Sequence, residues 1–234
     1  MIAERVAAVR ERIARAAERA GRRPAEVTLV AVSKTFPPEA VREAFATGLR
    51  DFGENKVQEA EEKARALADL RAQGLVWHLV GHLQKNKARR AVAVFDRVQS
   101  VDDAELGERL EHAAAEQRKL LPVLVQVDLA GEQTKFGLDE AHLDPVLEAL
   151  RGLKSVRVEG LMTLPPYDPD PERVRPYFRR LRELRDRALA RSELEGAELS
   201  MGMSHDLEVA VEEGATIVRV GTAIFGERPP RGGA

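Results

Sequence analysis

Lysine is scarce in this chain of 234 residues: eight lysines stand against twenty-nine arginines. One of the eight, Lys34, ends the most apolar stretch of the sequence, VTLVAVSK. Alternation along a strand puts Val30, Val32 and Lys34 on one face. If that face lines a barrel interior, the amine stands in a low-dielectric mouth that favours its neutral form. A neutral amine attacks carbonyl groups and can form a Schiff base. The competing reading is a strand-end lysine whose ammonium reaches back to water. Position alone weighs the two evenly.

A second chemistry is carried by two glycine–hydroxyl turns. Gly202 and Ser204, in SMGMS, stand at the entrance to a helix, and Gly221 and Thr222, in RVGT, lie just past an apolar run. Glycine lets a backbone approach an anion, helix N-termini offer unpaired N–H groups, and hydroxyls add donors. Either pair alone reads as ordinary turn chemistry. Together, beside the Lys34 strand, they favour a phosphate cup. Arg219 lies inside the apolar run TIVRVGTAIFG, and a buried arginine needs a partner, either a carboxylate or an acceptor on a ligand. Asn55 follows a short strand and opens a helix, so it either caps that helix or faces a ligand.

Other patterns carry less. His78 and His82 are four apart, but a strand-to-loop path separates them and no third metal ligand is evident. Phosphate-loop, dinucleotide-binding and nucleophile-elbow motifs are absent. The arginines of 173–191 alternate with Glu and Leu at helical spacing, which is a solvated helix face and not a nucleic-acid patch. With no cysteine, disulfides, thiol catalysis and thiolate-bound metals are excluded.

A scaffold is needed to bring positions 34, 55, 204 and 219–222 together. Ile2, Val6, Val9, Ile13 and Ala17 predict an amphipathic helix, closed by Gly21. Strands are expected at 27–33, 49–52, 76–80, 97–101, 121–129, 157–162, 197–201 and 216–220. Helices are expected at 37–48, 55–73, 83–94, 103–118, 139–150, 171–191 and 205–213. Eight strands alternating with helices predict a parallel sheet closed as a (β/α)8 TIM-type barrel, in which chemistry gathers at the C-terminal strand ends. An open doubly wound sheet is the rival. The segment after the last strand is too short for a full eighth helix, and the N-terminal helix (1–21) is expected to cover the gap. The expected organisation is one domain, 1–234, with a frayed tail at 227–234.

Hydrophobic residues make up 44% and charged residues 32% of the chain, and its net charge is −2. This is a globular composition, and it argues against a polyelectrolyte partner such as nucleic acid. No run of about 18 apolar residues is present, so no membrane helix is expected. The N-terminus has no apolar signal core, and the expected location is cytoplasmic.

The stretches LVAVSKT, FGENKVQEA, WHLVGHLQKNK, GLMTL, LSMGMSHDLEVAVEEGAT and VRVGTAIFG, spread over residues 29–226, resemble the pyridoxal-phosphate homeostasis proteins, the single-domain relatives of alanine racemase. The resemblance implies a (β/α)8 barrel that binds pyridoxal 5′-phosphate (PLP). Matched motif by motif, it implies that Lys34 carries the cofactor as a Schiff base and Asn55 lines it. Ser204, Gly221 and Thr222 would hold the phosphate, and Arg219 would donate to the pyridine nitrogen. Two positions depart from the family pattern. Phe36 stands where many members have lysine, and Lys56 where many have an aromatic residue. Lys135 remains as a possible accessory amine.

Two functions from different classes follow. The first is a homeostatic carrier that binds the cofactor reversibly, with PLP-dependent apoenzymes as possible recipients and no catalytic residue of its own. The second is an amino-acid racemase of weak activity. That reaction needs an acid/base opposite the lysine, and Tyr167 and Tyr177 are the only tyrosines. The expected oligomeric state is monomeric, since the second domain that forms the racemase dimer is missing. A cofactor-free Schiff-base aldolase is a third, weaker reading.

Overall fold

The structure, a computed structural model, describes residues 1–131 and 136–227. Helix α1 (Ile2–Arg19) buries Val6, Val9, Ile13, Ala16 and Ala17, a stripe at three- and four-residue spacing. Strands and helices then alternate: β1 (Thr28–Val32), α2 (Pro38–Ala46), β2 (Asp51–Glu54), α3 (Val57–Ala66), α4 (Ala68–Arg71), β3 (Val76–Leu79), α5 (Ala88–Val94), β4 (Arg97–Val101) and α6 (Ala104–Glu116). The second half runs β5 (Leu121–Asp128), β6 (Leu138–Asp139), α7 (Leu143–Leu150), β7 (Val156–Met162), α8 (Arg175–Ala190), β8 (Glu198–Ser200), α9 (Leu207–Glu212), β9 (Ile217–Val220) and α10 (Thr222–Phe225).

Eight of these strands pair in parallel in the order β4-β3-β2-β1-β9-β8-β7-β5. β4 also pairs with β5, which closes the ring. That pairing excludes the open sheet and gives a TIM-type barrel. β6 adds two residues outside β5.

The barrel has two unlike faces. Outward-facing strand residues, among them Leu29, Ala31, Phe52, Trp77, Val98, Val123 and Val218, share one apolar core with the helices. The interior holds a small apolar cluster of Val30, Leu124, Met162 and Ile217. Buried polar residues share that space: His78, Gln99, Ser200 and Arg219. β1 contributes to both faces, which is why its sequence is continuously apolar.

Among the described residues after β9, the single turn α10 is the helical element. Helix α1 packs against α2, α9 and α10 and so covers the side where a full eighth helix would stand. Other elements differ from the sequence reading. The helix expected over 55–73 breaks at Leu67, whose backbone leaves helical values (φ −118°, ψ 26°), and Leu67 and Leu70 both reach the core. The helix expected from 83 begins with a tight turn at Lys85–Lys87 and becomes α-helical only at Ala88. The helix expected from 139 is preceded by β6 and a second tight turn, Glu140–His142. The expected frayed tail falls mostly on 228–234, outside the described residues.

Candidate functional site

Lys34, Asn55, Ser204, Arg219, Gly221 and Thr222 all line one cleft of about 270 Å³. It lies at the C-terminal ends of β1, β2, β8 and β9. Val32, Val80, Leu164, Tyr167, Met203 and His205 complete it. Among the described residues no Asp or Glu lines the cleft, whereas an amine and a guanidinium do.

Lys34 is half-buried, one residue beyond the buried Ser33. Both of its neighbours are tied down. The Ser33 hydroxyl donates to Glu54 Oε1 at 2.6 Å, and the Ser33 carbonyl accepts from Lys63 Nζ at 2.7 Å. The Thr35 N–H donates to Glu59 Oε1 at 2.5 Å, and Thr35 takes a left-handed φ of 71°. That conformation is uncommon for a β-branched residue, and the Glu59 bond holds it. Lys63 Nζ also donates to Glu54 Oε1 at 2.7 Å and Glu59 Oε1 at 2.8 Å.

Glu54 and Lys63 are both buried. Burial raises the Glu54 pKa to about 7, against the opposing pull of Lys63 and Ser33. Glu54 Oε2 has no hydrogen-bond partner among the described residues. Burial also acts to raise Glu59, but its bonds from Lys63 and the Thr35 N–H outweigh it and hold the carboxyl below its ordinary value.

Arg219 pairs with Val30 across the β1–β9 ladder and points into the barrel. Its Nη1 donates to Ser200 Oγ and its Nη2 to the Thr163 carbonyl at 2.9 Å. Both acceptors are neutral. Burial pushes the guanidinium down to about 10, with the charge of Asp206 pulling the other way. Arg219 therefore stays cationic at neutral pH. Of the two partners expected from sequence, the structure supplies no paired carboxylate among the described residues.

The two turns of the proposed cup meet side by side. The Ala223 N–H donates to Ser204 Oγ at 3.2 Å, which joins the turn after β8 to the start of α10. Gly202 has φ +92°, and a Cβ there would stand 2.5 Å from the Ala210 Cβ. Its carbonyl accepts from the Arg219 N–H at 2.9 Å, which links the cup to the arginine strand.

Asn55 does not cap α3; Lys56 holds that position. Instead Asn55 lies in the cleft wall. A Cβ at Gly81 would come within 2.4 Å of the Asn55 carbonyl, so only glycine lets the two loops approach this closely.

Tyr167 is 75% exposed at the cleft rim, its ring 5.2 Å from that of His205. Tyr177 packs against the helical core instead. Phe36 stacks on Phe225 with ring centroids 5.2 Å apart, so this departure from the family pattern is a packing residue. Lys135 lies outside the described residues. His78 and His82 do not converge. His82 stacks on Phe136 at 3.8 Å and bonds Asp102 at 3.1 Å, whereas His78 turns into the barrel.

The sequence reading missed His205, Met203 and Leu164. The Leu164 signal was present, two residues past the interior Met162 and therefore of the same parity. His205 Nε2 bonds the carbonyls of Asp168 and Pro169 at 3.0 and 3.1 Å, partners no local pattern reveals.

Fold and cleft together define the class described as alanine racemase, N-terminal domain, whose sequence profile matches residues 5–229. The Pyridoxal phosphate homeostasis protein of Aquifex aeolicus is 47% identical over 225 residues, which cover 96% of this chain and 97% of that protein. The protein of the same name from Pseudomonas aeruginosa is 48% identical over 229 residues, 97% of this chain and 96% of its own. Among solved structures, PipY of Synechococcus elongatus with PLP bound superposes with a TM-score of 0.86 at 42% identity, covering 97% of this chain and all of that one. This chain belongs to the pyridoxal phosphate homeostasis protein family.

Proposed function

We propose that this chain binds pyridoxal 5′-phosphate reversibly in the cleft at the barrel mouth and acts in its homeostasis, buffering it or delivering it to apoenzymes. The observation that carries this reading is the convergence of Lys34, Arg219 and the Ser204 and Gly221–Thr222 turns on a cleft with no lining carboxylate among the described residues. A phosphorylated aldehyde fits that set. The phosphate needs N–H and hydroxyl donors, and a nearby carboxylate would repel it. When bound, the cofactor supplies an aldehyde that condenses reversibly with a primary amine. Lys34 is the amine of the cleft, and the bonds on Ser33 and Thr35 hold its backbone in position. Ser204, Gly221 and Thr222 would hold the phosphate, and Asn55 would line the ring.

Arg219 would donate to the pyridine nitrogen. A guanidinium gives a hydrogen bond without handing over its proton. A ring nitrogen facing it stays unprotonated, which favours carriage over broad amino-acid chemistry. A second reading, a weak racemase, rests on Tyr167 at the cleft rim.

The test is the visible spectrum of the cofactor-loaded protein before and after borohydride, followed by peptide mass analysis. The expected adduct is on Lys34. An adduct chiefly on Lys56 or Lys135 would overturn the assignment. Deuterium exchange at Cα of L-alanine in heavy water separates the two functions. Rapid formation of D-alanine, lost in Tyr167→Phe, would establish the racemase instead of the carrier.

A further inference from the structure

Behind Arg219 a line of buried polar side chains crosses the barrel, contributed by five strands' worth of sequence from position 51 to position 219. Arg219 Nη1 donates to Ser200 Oγ. Ser200 Oγ donates to Gln99 Oε1 at 2.6 Å. Gln99 Nε2 meets His78 Nδ1 at 2.8 Å, and His78 Nε2 meets Asp51 Oδ1 at 2.9 Å. Ser200 and Gln99 are fully buried and His78 is 1% exposed. None of the three lines the cleft. Asp51 opens on a separate hollow between α1 and the N-terminal ends of β1 and β2.

The direction of every bond in this line follows from its end groups and from the Gln99 amide, whose oxygen faces Ser200 and whose nitrogen faces His78. A guanidinium has donors only, so Ser200 Oγ must accept from it. The one Ser200 proton then goes to Gln99, whose carbonyl oxygen faces it. The Gln99 amide nitrogen can only donate, so His78 Nδ1 must be a lone pair. His78 therefore carries its proton on Nε2 and gives it to the Asp51 carboxylate. A cation at one end and a carboxylate at the other polarise four bonds the same way. Arg97, which pairs with His78 across the β3–β4 ladder, has its own charge engaged by Glu159 at 2.7 Å and by Glu198.

We propose that Asp51 is a positioning residue for Arg219: by setting the tautomer of His78 it orients the Gln99 amide, and through Gln99 the Ser200 hydroxyl that receives the guanidinium. The consequence for ligand binding rests on the reading of Arg219 as a cofactor donor. The line itself does not. It leaves the remaining Arg219 donors aimed by a scaffold that reaches the opposite end of the barrel.

The test uses the full chain, free of PLP, with nitrogen-15 labelling of histidine and arginine side chains. His78 is expected as the neutral Nε2–H tautomer at neutral pH. An Nδ1–H tautomer or an imidazolium would overturn the proposal. Asp51→Ala should give mixed His78 tautomers and shift the Arg219 Nε–H resonance, and Asp51→Asn, which still offers an acceptor, should restore both. An Asp51→Ala protein whose His78 and Arg219 signals match the parent would also overturn it.

Gln99→Glu supplies an independent variant of nearly the same shape. A carboxylate there accepts from Ser200 but cannot donate to His78, so His78 should become an imidazolium bonded on both sides. Persistence of the neutral form would count against the line. In the loaded protein, Asp51→Ala should weaken PLP binding about 2- to 10-fold, the loss of one hydrogen bond's ordering, with Asp51→Asn near the parent. Absence of PLP binding in the parent would sink the functional reading, while the tautomer measurements would still judge the line.

Discussion

The two walls of the cleft are held in opposite ways. On the Lys34 wall, a buried ammonium, Lys63, gathers two carboxylates and a carbonyl around the backbone that flanks the reactive lysine. On the Arg219 wall, a buried guanidinium rests on a hydroxyl and a carbonyl, and its line of neutral groups meets a carboxylate only at the far end. The first wall is short-range and ionic. It holds backbone, at the turn where Thr35 is forced left-handed. The second is long-range and mostly neutral. It holds one side chain. Only one wall can respond to pH near neutrality: a buried carboxylate raised to about 7 stands behind Lys34, whereas Arg219, at about 10, stays charged across the physiological range.

Lys63→Met has the largest expected effect. It leaves Glu54 and Glu59 without their cation and should cost about 3–5 kcal/mol at pH 8, as removal of one partner of a buried pair does. Urea unfolding measures it. The loss should shrink at pH 5, where Glu54 is neutral. An equal loss at both pH values would mean that the pair does not act through charge.

Glu54→Gln sharpens the pH dependence. The folded protein holds the Glu54 proton up to about 7, above its ordinary carboxylate value of 4.5. The folded state therefore binds more protons than the unfolded state between those values, and the contribution of Glu54 to stability is full at low pH and lost as pH rises through about 7. The stability of the parent relative to Glu54→Gln should fall by up to about 3 kcal/mol across that window. A difference that stays constant from pH 4 to 8 would contradict the raised carboxyl.

On the neutral wall, Ser200→Ala should cost about 1–3 kcal/mol, because it strips acceptor and donor from buried Arg219 and Gln99. This loss should be the same at pH 6 and pH 8. A strong pH dependence would make the two walls alike. The smallest effect on the fold is expected at the cup. Thr222 is exposed, so Thr222→Ala should leave apo-protein stability within about 0.5 kcal/mol. Its affinity for PLP should nonetheless fall, and its affinity for pyridoxal should not. Equal loss for both ligands would remove Thr222 from the phosphate.

Lys34 itself and the glycine turns of the cup were legible in sequence because their information is local, whereas the Lys63, Glu54 and Glu59 contacts that hold the Lys34 backbone were not. A continuous apolar run ending in lysine marks a buried strand that delivers an amine to its C-terminal end, and glycine beside serine or threonine marks turns that expose N–H groups. Arg219 was legible as a buried cation in need of a partner. What that partner would be was not, because Ser200 ends β8 and Thr163 lies just past β7. In the sequence His78 stands out only by its four-residue spacing from His82, which does not make a metal site. The structure instead gives it a hydrogen-bonding role, with Asp51 on β2 and Gln99 on β4 as partners.

By itself, then, the sequence determined the alternation of strands and helices, the two-faced burial of β1 and the residues that end its strands, since each of these follows from the period and chemistry of neighbouring residues. Tertiary structure decided the rest. Pairing of β4 with β5 closed the ring, and α1 came to cover the side left by the short last turn. Ring closure brought positions 51, 78, 99, 200 and 219 into one interior line. Asp51, His78 and Gln99 bond between neighbouring strands, as do Ser200 and Arg219, and the Gln99–Ser200 bond joins these two sets from strands far apart in the chain, so each buried polar group is satisfied only in the closed barrel.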